Sequence, residues 1–226
     1  MIKRFNLKKV ILKTIPTTKE PPALPNLIGD RELEWTYVAA RIGRYADEHS
    51  LVLDFGCGIG MLSLASASIG ARVLAIDLLP QQFRTGYPNI EFRQVDLMSL
   101  EQSGQFDLIL NCSTIEHVGL SGRYNAIDSP DGDLQAMGKL QQMVKPGGTM
   151  LLTLPVGQDA VIHPLHRIYG EERLQRLVDG YKVIESSFWR KDENNIWLPC
   201  SQVIAMAEVG RDNYYALGCM VLQPEK

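Results

Sequence analysis

A glycine-rich turn directly after an apolar segment is the feature of the sequence best suited to binding a small molecule. Val52-Leu53-Asp54-Phe55 is predicted to be a buried strand that leads into Gly56-Cys57-Gly58-Ile59-Gly60. Glycine lets the backbone approach a ligand and adopt φ angles that other residues avoid. In an open α/β sheet, ligands bind at the carboxyl ends of the strands. The turn therefore predicts a ligand site at this strand end.

Polar side chains also stand at the ends of the following predicted strands. Asp77 ends Val73-Leu74-Ala75-Ile76-Asp77, and Asp96 follows Phe92-Arg93-Gln94-Val95. The next strand, Phe106 to Cys112, ends in Asn111-Cys112-Ser113. We expect these residues to meet at one edge of the sheet, together with the glycine-rich turn.

The order of these elements resembles that of class I S-adenosylmethionine (SAM)-dependent methyltransferases. The turn is similar to their first motif, whereas the dinucleotide fingerprint GxGxxG requires glycine where this chain has Met61. The resemblance implies SAM as cofactor and S-adenosylhomocysteine (SAH) as product. It also implies that Asp77 binds the ribose hydroxyls and that Asp96 meets the adenine amino group. The implied cofactor-binding residues are Asp54, Gly56, Cys57, Gly58, Gly60, Asp77, Leu78, Asp96, Leu97, Asn111 and Ser113.

Two later segments, EHVG at 116–119 and HRIYG at 166–170, give a narrower resemblance. They are similar to a little-studied methyltransferase family, formerly catalogued as a domain of unknown function, whose bacterial members often accompany surface-polysaccharide and glycosyl-transfer genes. This resemblance covers Leu51 to Leu177 and implies a fold and a cofactor, but no substrate.

Two histidines are candidate catalytic bases, because methyl transfer to a hydroxyl requires removal of the hydroxyl proton. His117 lies just past the fourth predicted strand and is the first candidate, since imidazole titrates near neutral pH. His166 follows the fifth strand on the same side of the sheet and is the second. The alternative that each histidine only hydrogen-bonds a loop or shapes the pocket stays open.

The acceptor atom is predicted to be oxygen. The Asn-Pro-Pro-Tyr sequence typical of nitrogen acceptors is absent, since residues 111–114 read Asn-Cys-Ser-Thr. We predict O-methylation of a hydroxyl on a sugar or polysaccharide precursor, with a small-molecule or glycan substrate. Two alternatives stay open: an O-methyltransferase acting on another small molecule, such as a secondary metabolite, and a non-catalytic SAM-fold protein that binds cofactor or a partner subunit.

Further polar and aromatic residues are predicted to surround the acceptor. Trp35 is expected to close over the cleft from an N-terminal helix. Asp128, Asp131 and Asp133 either bind sugar hydroxyls or a divalent cation, or form a proline turn that caps the next helix. No residue is assigned as a metal ligand, and a divalent metal is not excluded. The predicted substrate-binding residues are Arg123, Tyr124, Asp131, Arg167 and Tyr169.

Strands that alternate with helices predict an α/β, Rossmann-like, doubly wound fold, with a mainly parallel seven-stranded sheet whose last strand is antiparallel. The predicted strands are Leu51 to Asp54, Arg72 to Asp77, Ile90 to Val95, Phe106 to Cys112, Thr149 to Pro155, Tyr181 to Trp189 and Tyr214 to Leu222. The predicted helices are Asp30 (as N-cap) to Tyr45, Met61 to Ile69, Asp133 to Val144 and Glu171 to Val178. Two interpretations of Asp192 to Gly210 stay open: a loop with a strand at Val203 to Met206, or a short helix.

Composition limits the remaining function classes. The 226 residues carry a net charge of -3, with a pI near 5.8, so no nucleic-acid partner is expected. Four scattered cysteines and the lack of a 20-residue apolar run favour a soluble, cytoplasmic protein. Residues 1–29 are predicted to be a basic arm with a proline-rich linker, and 30–226 the methyltransferase domain. Two interpretations of the arm stay open: peripheral contact with the inner membrane face, or packing on its own domain or on the partner of a homodimer.

Overall fold

The computed structural model describes residues 26–82, 86–101, 103–124 and 126–225. Residues 1–25 of the predicted basic arm lie outside these ranges. The helices are α1 (Asp30–Tyr45), α2 (Met61–Ser68), α3 (Gly132–Met143), α4 (Glu171–Leu177) and α5 (Gln202–Ala207). The strands are β1 (Leu51–Phe55), β2 (Arg72–Asp77), β3 (Ile90–Gln94), β4 (Phe106–Cys112), β5 (Val144–Val156), β6 (Ala160–Ile162), β7 (His166–Ile168), β8 (Tyr181–Lys191), β9 (Trp197–Cys200) and β10 (Ala216–Pro224).

The main sheet has the strand order β3-β2-β1-β4-β5-β10-β8-β9. Neighbours from β3 to β5 are parallel, and β10 pairs antiparallel with both β5 and β8. The predicted Rossmann-like α/β fold and the antiparallel last strand are therefore confirmed. Apolar side chains alternate between the two faces of β1: Leu53 belongs to the core that contains Met137 of α3, and Val52 to the core that contains Val38 of α1. Helices thus cover both faces of the sheet.

The sheet has one strand more than the seven that the sequence predicts. The eighth strand, β9, pairs antiparallel with β8 at the edge of the sheet. A tight turn makes this pairing: the Asp192 carboxylate accepts the backbone N–H groups of Asn194 and Ile196, and Asn195 has a φ of 63°. The following segment forms α5, so the short-helix interpretation of this region is confirmed.

A small hairpin extends the carboxyl end of the sheet where the sequence predicts no element. Strands β6 and β7 form a separate two-stranded sheet, in which Ile162 pairs with His166. The hairpin is tied to the end of β5, because Gly157 N–H donates to the Tyr169 carbonyl at 3.2 Å. It therefore brings the HRIYG segment beside the end of β4.

Two predicted helix caps differ in the structure. Gly29, in left-handed backbone, occupies the N-cap of α1, so Asp30 is the first helical residue instead of the cap. Asp131 occupies the N-cap of α3 but makes no side-chain cap hydrogen bond, because its carboxylate pairs with Arg173 and Arg176. Among the described residues, none of the helices has the length and apolar character needed to cross a membrane.

Candidate cofactor and acceptor site

The glycine-rich turn leaves β1 in backbone that side chains disfavour. Gly56 has a φ of 70°, and a Cβ there would lie 2.3 Å from the Thr114 side chain. Gly58 has a φ of 51°, but a Cβ there would meet no atom within 4 Å. Gly56 is thus required for packing against the end of β4, whereas the chain at Gly58 faces open space. An open, side-chain-free backbone of this kind allows close approach of a ligand.

Asp77 holds this turn against the end of β2. Its Oδ2 accepts the Gly58 N–H at 3.0 Å, and its Oδ1 accepts the Leu79 N–H at 2.9 Å. Each carboxylate oxygen has a second lone-pair site, and the residue is only half-buried. Asp77 therefore retains the capacity to accept hydrogen bonds from ligand hydroxyls.

Asp54 and Cys57 lie inside the protein, beneath the turn. Asp54 Oδ2 accepts a 2.5 Å hydrogen bond from Ser63 Oγ of α2. Burial, opposed by this hydrogen bond, raises the pKa of Asp54 to about 6. Burial also raises the pKa of the Cys57 thiol. Both residues support the turn from below, and their side chains are not on its exposed surface.

The predicted adenine-binding residues divide between surface and core. Asp96 is exposed, and its Oδ1 accepts the Met98 N–H at 2.9 Å. Leu97 is buried in the core, so its predicted contact with the adenine stays a prediction. Exposed apolar surface is supplied by two residues, Leu78 and Met98. Leu78 was predicted from the sequence, whereas Met98 was missed. The sequence offered one signal for Met98: it directly follows Leu97, which was already predicted to lie at the adenine.

The end of β4 combines strained backbone with buried polar groups. Asn111 is fully buried, and its Oδ1 has no hydrogen-bond partner. Ser113 has a φ of 46°, unusual for a residue other than glycine. Its hydroxyl donates to Glu34 Oε1, across from α1. Such strain concentrates at functional sites, where surrounding contacts hold it in place.

Glu34 is a buried carboxyl group that sequence reasoning missed. Its partners are Ser113, Thr153 Oγ1 at 3.3 Å and Arg31 at 3.5 Å. Burial, opposed by Arg31, raises the pKa of Glu34 to about 7. The signal was its spacing, because Glu34, Val38 and Ile42 are four residues apart and share one face of the helix.

Glu116 and His117 follow β4 in a short 3-10 turn. His117 Nδ1 lies 2.6 Å from the Leu165 carbonyl and must donate to it, so Nε2 carries the lone pair. That Nε2 lies 3.5 Å from Glu116 Oε1. Burial lowers the pKa of His117 to about 3, whereas burial raises the pKa of Glu116 to about 8, with the nearby Glu34 carboxylate acting in the same direction. The carboxyl group is therefore the stronger base of the two.

His166 lies across from this pair on β7. It is buried, its Nε2 has no hydrogen-bond partner, and its ring meets Tyr215 edge-on at 5.2 Å. Burial lowers the pKa of His166, opposed by a hydrogen bond with the Arg211 backbone. The structure thus brings both predicted histidines to the carboxyl end of the sheet, each in a form that disfavours protonation.

The predicted acceptor-binding residues include two that lie in the interior. Arg167 donates to the carbonyls of Val118, Gly119 and Ser129. Tyr169 donates to Asp133 at 3.0 Å. Both are essentially inaccessible, which corrects the prediction that they line a cleft: together they fasten the HRIYG segment to the EHVG segment.

Asp133 is the centre of this arrangement. The fully buried carboxylate also accepts hydrogen bonds from Arg173 of α4, and Arg167 Nε lies 3.7 Å away. These partners occupy Asp133 and explain its position better than sugar or metal binding does. Asp128 accepts the Ser121 N–H and hydroxyl, each at 2.8 Å. In the part of the chain that the structure describes, no three His, Cys, Asp or Glu residues are placed to hold a metal ion.

Three other predicted residues lie closer to the surface. Arg123 is exposed and stacks 5.0 Å from the Tyr124 ring, and Tyr124 meets His117 edge-on at 5.0 Å. Asp131 is half-exposed, and its ion-pair partners are Arg173 and Arg176 instead of the histidines. Trp35 packs against the core beneath α1, so α1 reaches the site through Glu34 instead.

Comparison with known proteins agrees with this architecture. The chain is 35% identical over 176 residues to a ubiquinone biosynthesis O-methyltransferase of Xanthomonas campestris, covering 74% of this chain and 66% of that protein, just under two thirds of its length. An N1-methyltransferase of Burkholderia thailandensis solved with 1,6-didemethyltoxoflavin and SAH has a TM-score of 0.62 at 16% identity, covering 88% of this chain and 81% of its own.

The N-methyltransferase NodS of Bradyrhizobium japonicum, solved with SAH, has a TM-score of 0.59 at 15% identity, covering 87% of this chain and 88% of its own. These structures share the class I SAM-dependent methyltransferase fold with this chain. A family model matches residues 64–217, which include both the EHVG and the HRIYG segments. The chain therefore belongs to the family described as Caenorhabditis protein of unknown function, DUF268.

Proposed function

We propose that this chain is a SAM-dependent methyltransferase that acts on a hydroxyl oxygen. The observation that carries the proposal is the bond from Gly58 N–H to Asp77, which holds the open backbone at Gly58 beside a carboxylate with spare acceptor capacity. The Xanthomonas relative, named an O-methyltransferase, supports both the reaction class and the acceptor atom.

The residues at the glycine-rich turn fit this cofactor. The backbone of 56–60 would receive the methionine part, and Asp77 would accept hydrogen bonds from the ribose hydroxyls. Leu78 and Met98 offer exposed apolar surface for the adenine, next to the exposed Asp96. When bound, SAM supplies an electrophilic methyl group; the chain must align the acceptor and remove its proton.

The acceptor side supplies several groups able to bind a hydroxyl. Glu116, His117 and His166 lie together at the end of the sheet, with Arg123 and Tyr124 at the surface beside His117. The acceptor that we propose is a hydroxyl on a sugar or a polysaccharide precursor. A second candidate is a hydroxyl on a non-sugar small molecule, which the ubiquinone-pathway name of the relative favours.

Calorimetric titration with SAH, with NADH as a control, tests the cofactor. Micromolar SAH binding, about -8 kcal/mol, with no NADH binding is the expected result. Binding of NADH alone, or of neither compound, would overturn the proposal.

The acceptor is tested with radiolabelled SAM and two panels, one of nucleotide sugars and glycans and one of phenols and other non-sugar alcohols. Label in a sugar product supports the first candidate, and label in a non-sugar product supports the second. SAH binding without transfer to either panel would favour a cofactor-binding protein that does not catalyse transfer.

A further inference from the structure

Three buried polar atoms without a hydrogen-bond partner lie at the carboxyl end of the sheet. Among the described residues, five buried side-chain nitrogen or oxygen atoms lack a partner, and three of these are Asn111 Oδ1, Glu116 Oε2 and His166 Nε2. Buried polar atoms nearly always have a partner, and each exception calls for an explanation, of which a catalytic role is one. Of the three, only the Glu116 carboxyl group can become a strong proton acceptor, since an amide is not basic and burial lowers the pKa of His166.

The contacts of His117 oppose its use as the base. Its Nδ1 proton is fixed on the Leu165 carbonyl, and its Nε2 lies 3.5 Å from Glu116 Oε1. Burial, together with the positive charge of Arg123, lowers the pKa of His117 to about 3. A base with so low a pKa takes little share of a proton in a transition state at neutral pH.

Charged and titratable groups face Glu116 from several elements. Glu34 of α1 disfavours its ionisation, whereas Arg31 of α1 and Arg123 favour it. The remaining neighbours are His117 in the same turn, Tyr169 after β7, and Tyr215 before β10. The balance leaves a carboxyl group that is mainly protonated at neutral pH and that a nearby positive charge would ionise.

We infer that Glu116 accepts the proton of the acceptor hydroxyl, an inference that rests on the proposed methyl transfer. As the acceptor oxygen bonds to the methyl carbon, the carbon–sulfur bond breaks and its electron pair stays on sulfur. The hydroxyl proton passes to Glu116 Oε2, the oxygen without a partner. The carboxyl group keeps this proton until the next SAM binds, whose positive charge then drives its release to solvent.

Proton release on cofactor binding tests this role without knowledge of the acceptor. SAM carries a positive sulfonium that SAH lacks, and a Glu116 carboxyl group placed as we infer, next to the reacting centre, ionises when that charge arrives. Calorimetry of the full chain at pH 7, in two buffers of different ionisation enthalpy, counts the protons released. We expect wild-type protein to release up to about one proton more with SAM than with SAH.

Glu116→Gln is expected to lose most of this difference while binding SAH with an unchanged Kd. Glu193→Gln makes the same chemical change on an exposed carboxylate and is expected to behave as wild type. Equal proton release by SAM and SAH in wild type, or a difference that survives in Glu116→Gln, overturns the inference. Failure of wild type to bind SAH overturns the proposed function instead.

Infrared spectroscopy covers the case in which Glu116→Gln does not fold. SAM, but not SAH, is expected to remove a protonated-carboxyl band from wild type at pH 7. Glu116→Asp retains a carboxyl group in a changed setting, so the frequency of that band should shift. An unshifted band belongs to another group and overturns the inference.

Discussion

The cofactor side of the candidate site, comprising residues 54–60, 77–79 and 96–98, differs in construction from the acceptor side, comprising Glu34, residues 111–124 and 166–169. On the cofactor side, carboxylates are held by backbone N–H groups in turns that directly follow strands. On the acceptor side, partners are far apart in sequence: Ser113 and Glu34 by 79 positions, and His117 and Leu165 by 48. Contacts between strand ends no more than 19 positions apart fix the first side, whereas packing between segments distant in sequence fixes the second.

Asp133→Asn should break the acceptor side most severely. Removing this buried charge leaves Arg167 without its ion pair and weakens the contact with Arg173, at a cost of about 3–5 kcal/mol in the free energy of unfolding. Urea unfolding measures the loss. Asp131→Asn is the matched control two residues away, where a half-exposed carboxylate should cost no more than about 1 kcal/mol. Equal losses in the two variants would show that Asp133 does not hold the acceptor side together.

Glu116→Gln should leave the cofactor side intact while stopping the chemistry. With an acceptor from the panels above, we expect kcat to fall by about 100-fold or more, since general-base contributions reach that size. The KM for SAM should change little. His117→Gln is the competing variant: a loss confined to it would return the base to the histidine, as the sequence predicts.

Asp77→Asn should weaken the cofactor side alone. Hydrogen bonds to charged groups contribute about 1.5–3 kcal/mol, so SAH affinity should fall by about 10- to 100-fold. The proton released on SAM binding, which we assign to Glu116, should be retained at saturating SAM. Calorimetry measures both quantities, and unchanged SAH affinity would remove Asp77 from the cofactor site.

The same difference explains which parts of the site could be predicted from the sequence. The glycine-rich turn and Asp77 depend on strand ends, which apolar runs and glycines indicate locally. Strand ends could not indicate Glu34, which lies on α1 and whose environment is created by Ser113 after β4 and Thr153 of β5. Its helical spacing with Val38 indicated burial but not this environment. Arg167 was misplaced for a related reason: nothing local shows that a charged side chain is enclosed by backbone carbonyls from the preceding loop.

Fold prediction follows a similar division. The parallel strands and the helices between them have clear apolar patterns, and their predicted bounds agree with the structure to within a few residues at most ends. The β6–β7 hairpin has three-residue strands, which are too short for alternation to be detected. Strand β9 depends on a turn held by the Asp192 side chain, and the preceding run gives no sign of it. Short elements made by turns were therefore the ones missed.

The smallest expected effect concerns the pH dependence of stability, to which the acceptor side contributes with a definite sign. Burial raises the pKa of Glu116 to about 8, so between about pH 4.5 and 8 the folded state binds more protons than the unfolded state. Stability from this group is therefore lost as pH rises across that interval. His117, whose pKa burial lowers to about 3, acts in the opposite direction only below about pH 6.5.

Thermal unfolding between pH 6.5 and 8.5 isolates the carboxyl contribution: the Tm of wild type should fall more steeply than that of Glu116→Gln, and Glu193→Gln should follow wild type. Parallel slopes in all three proteins would mean that Glu116 is already ionised in the folded state at neutral pH, which would contradict the proton release expected on SAM binding.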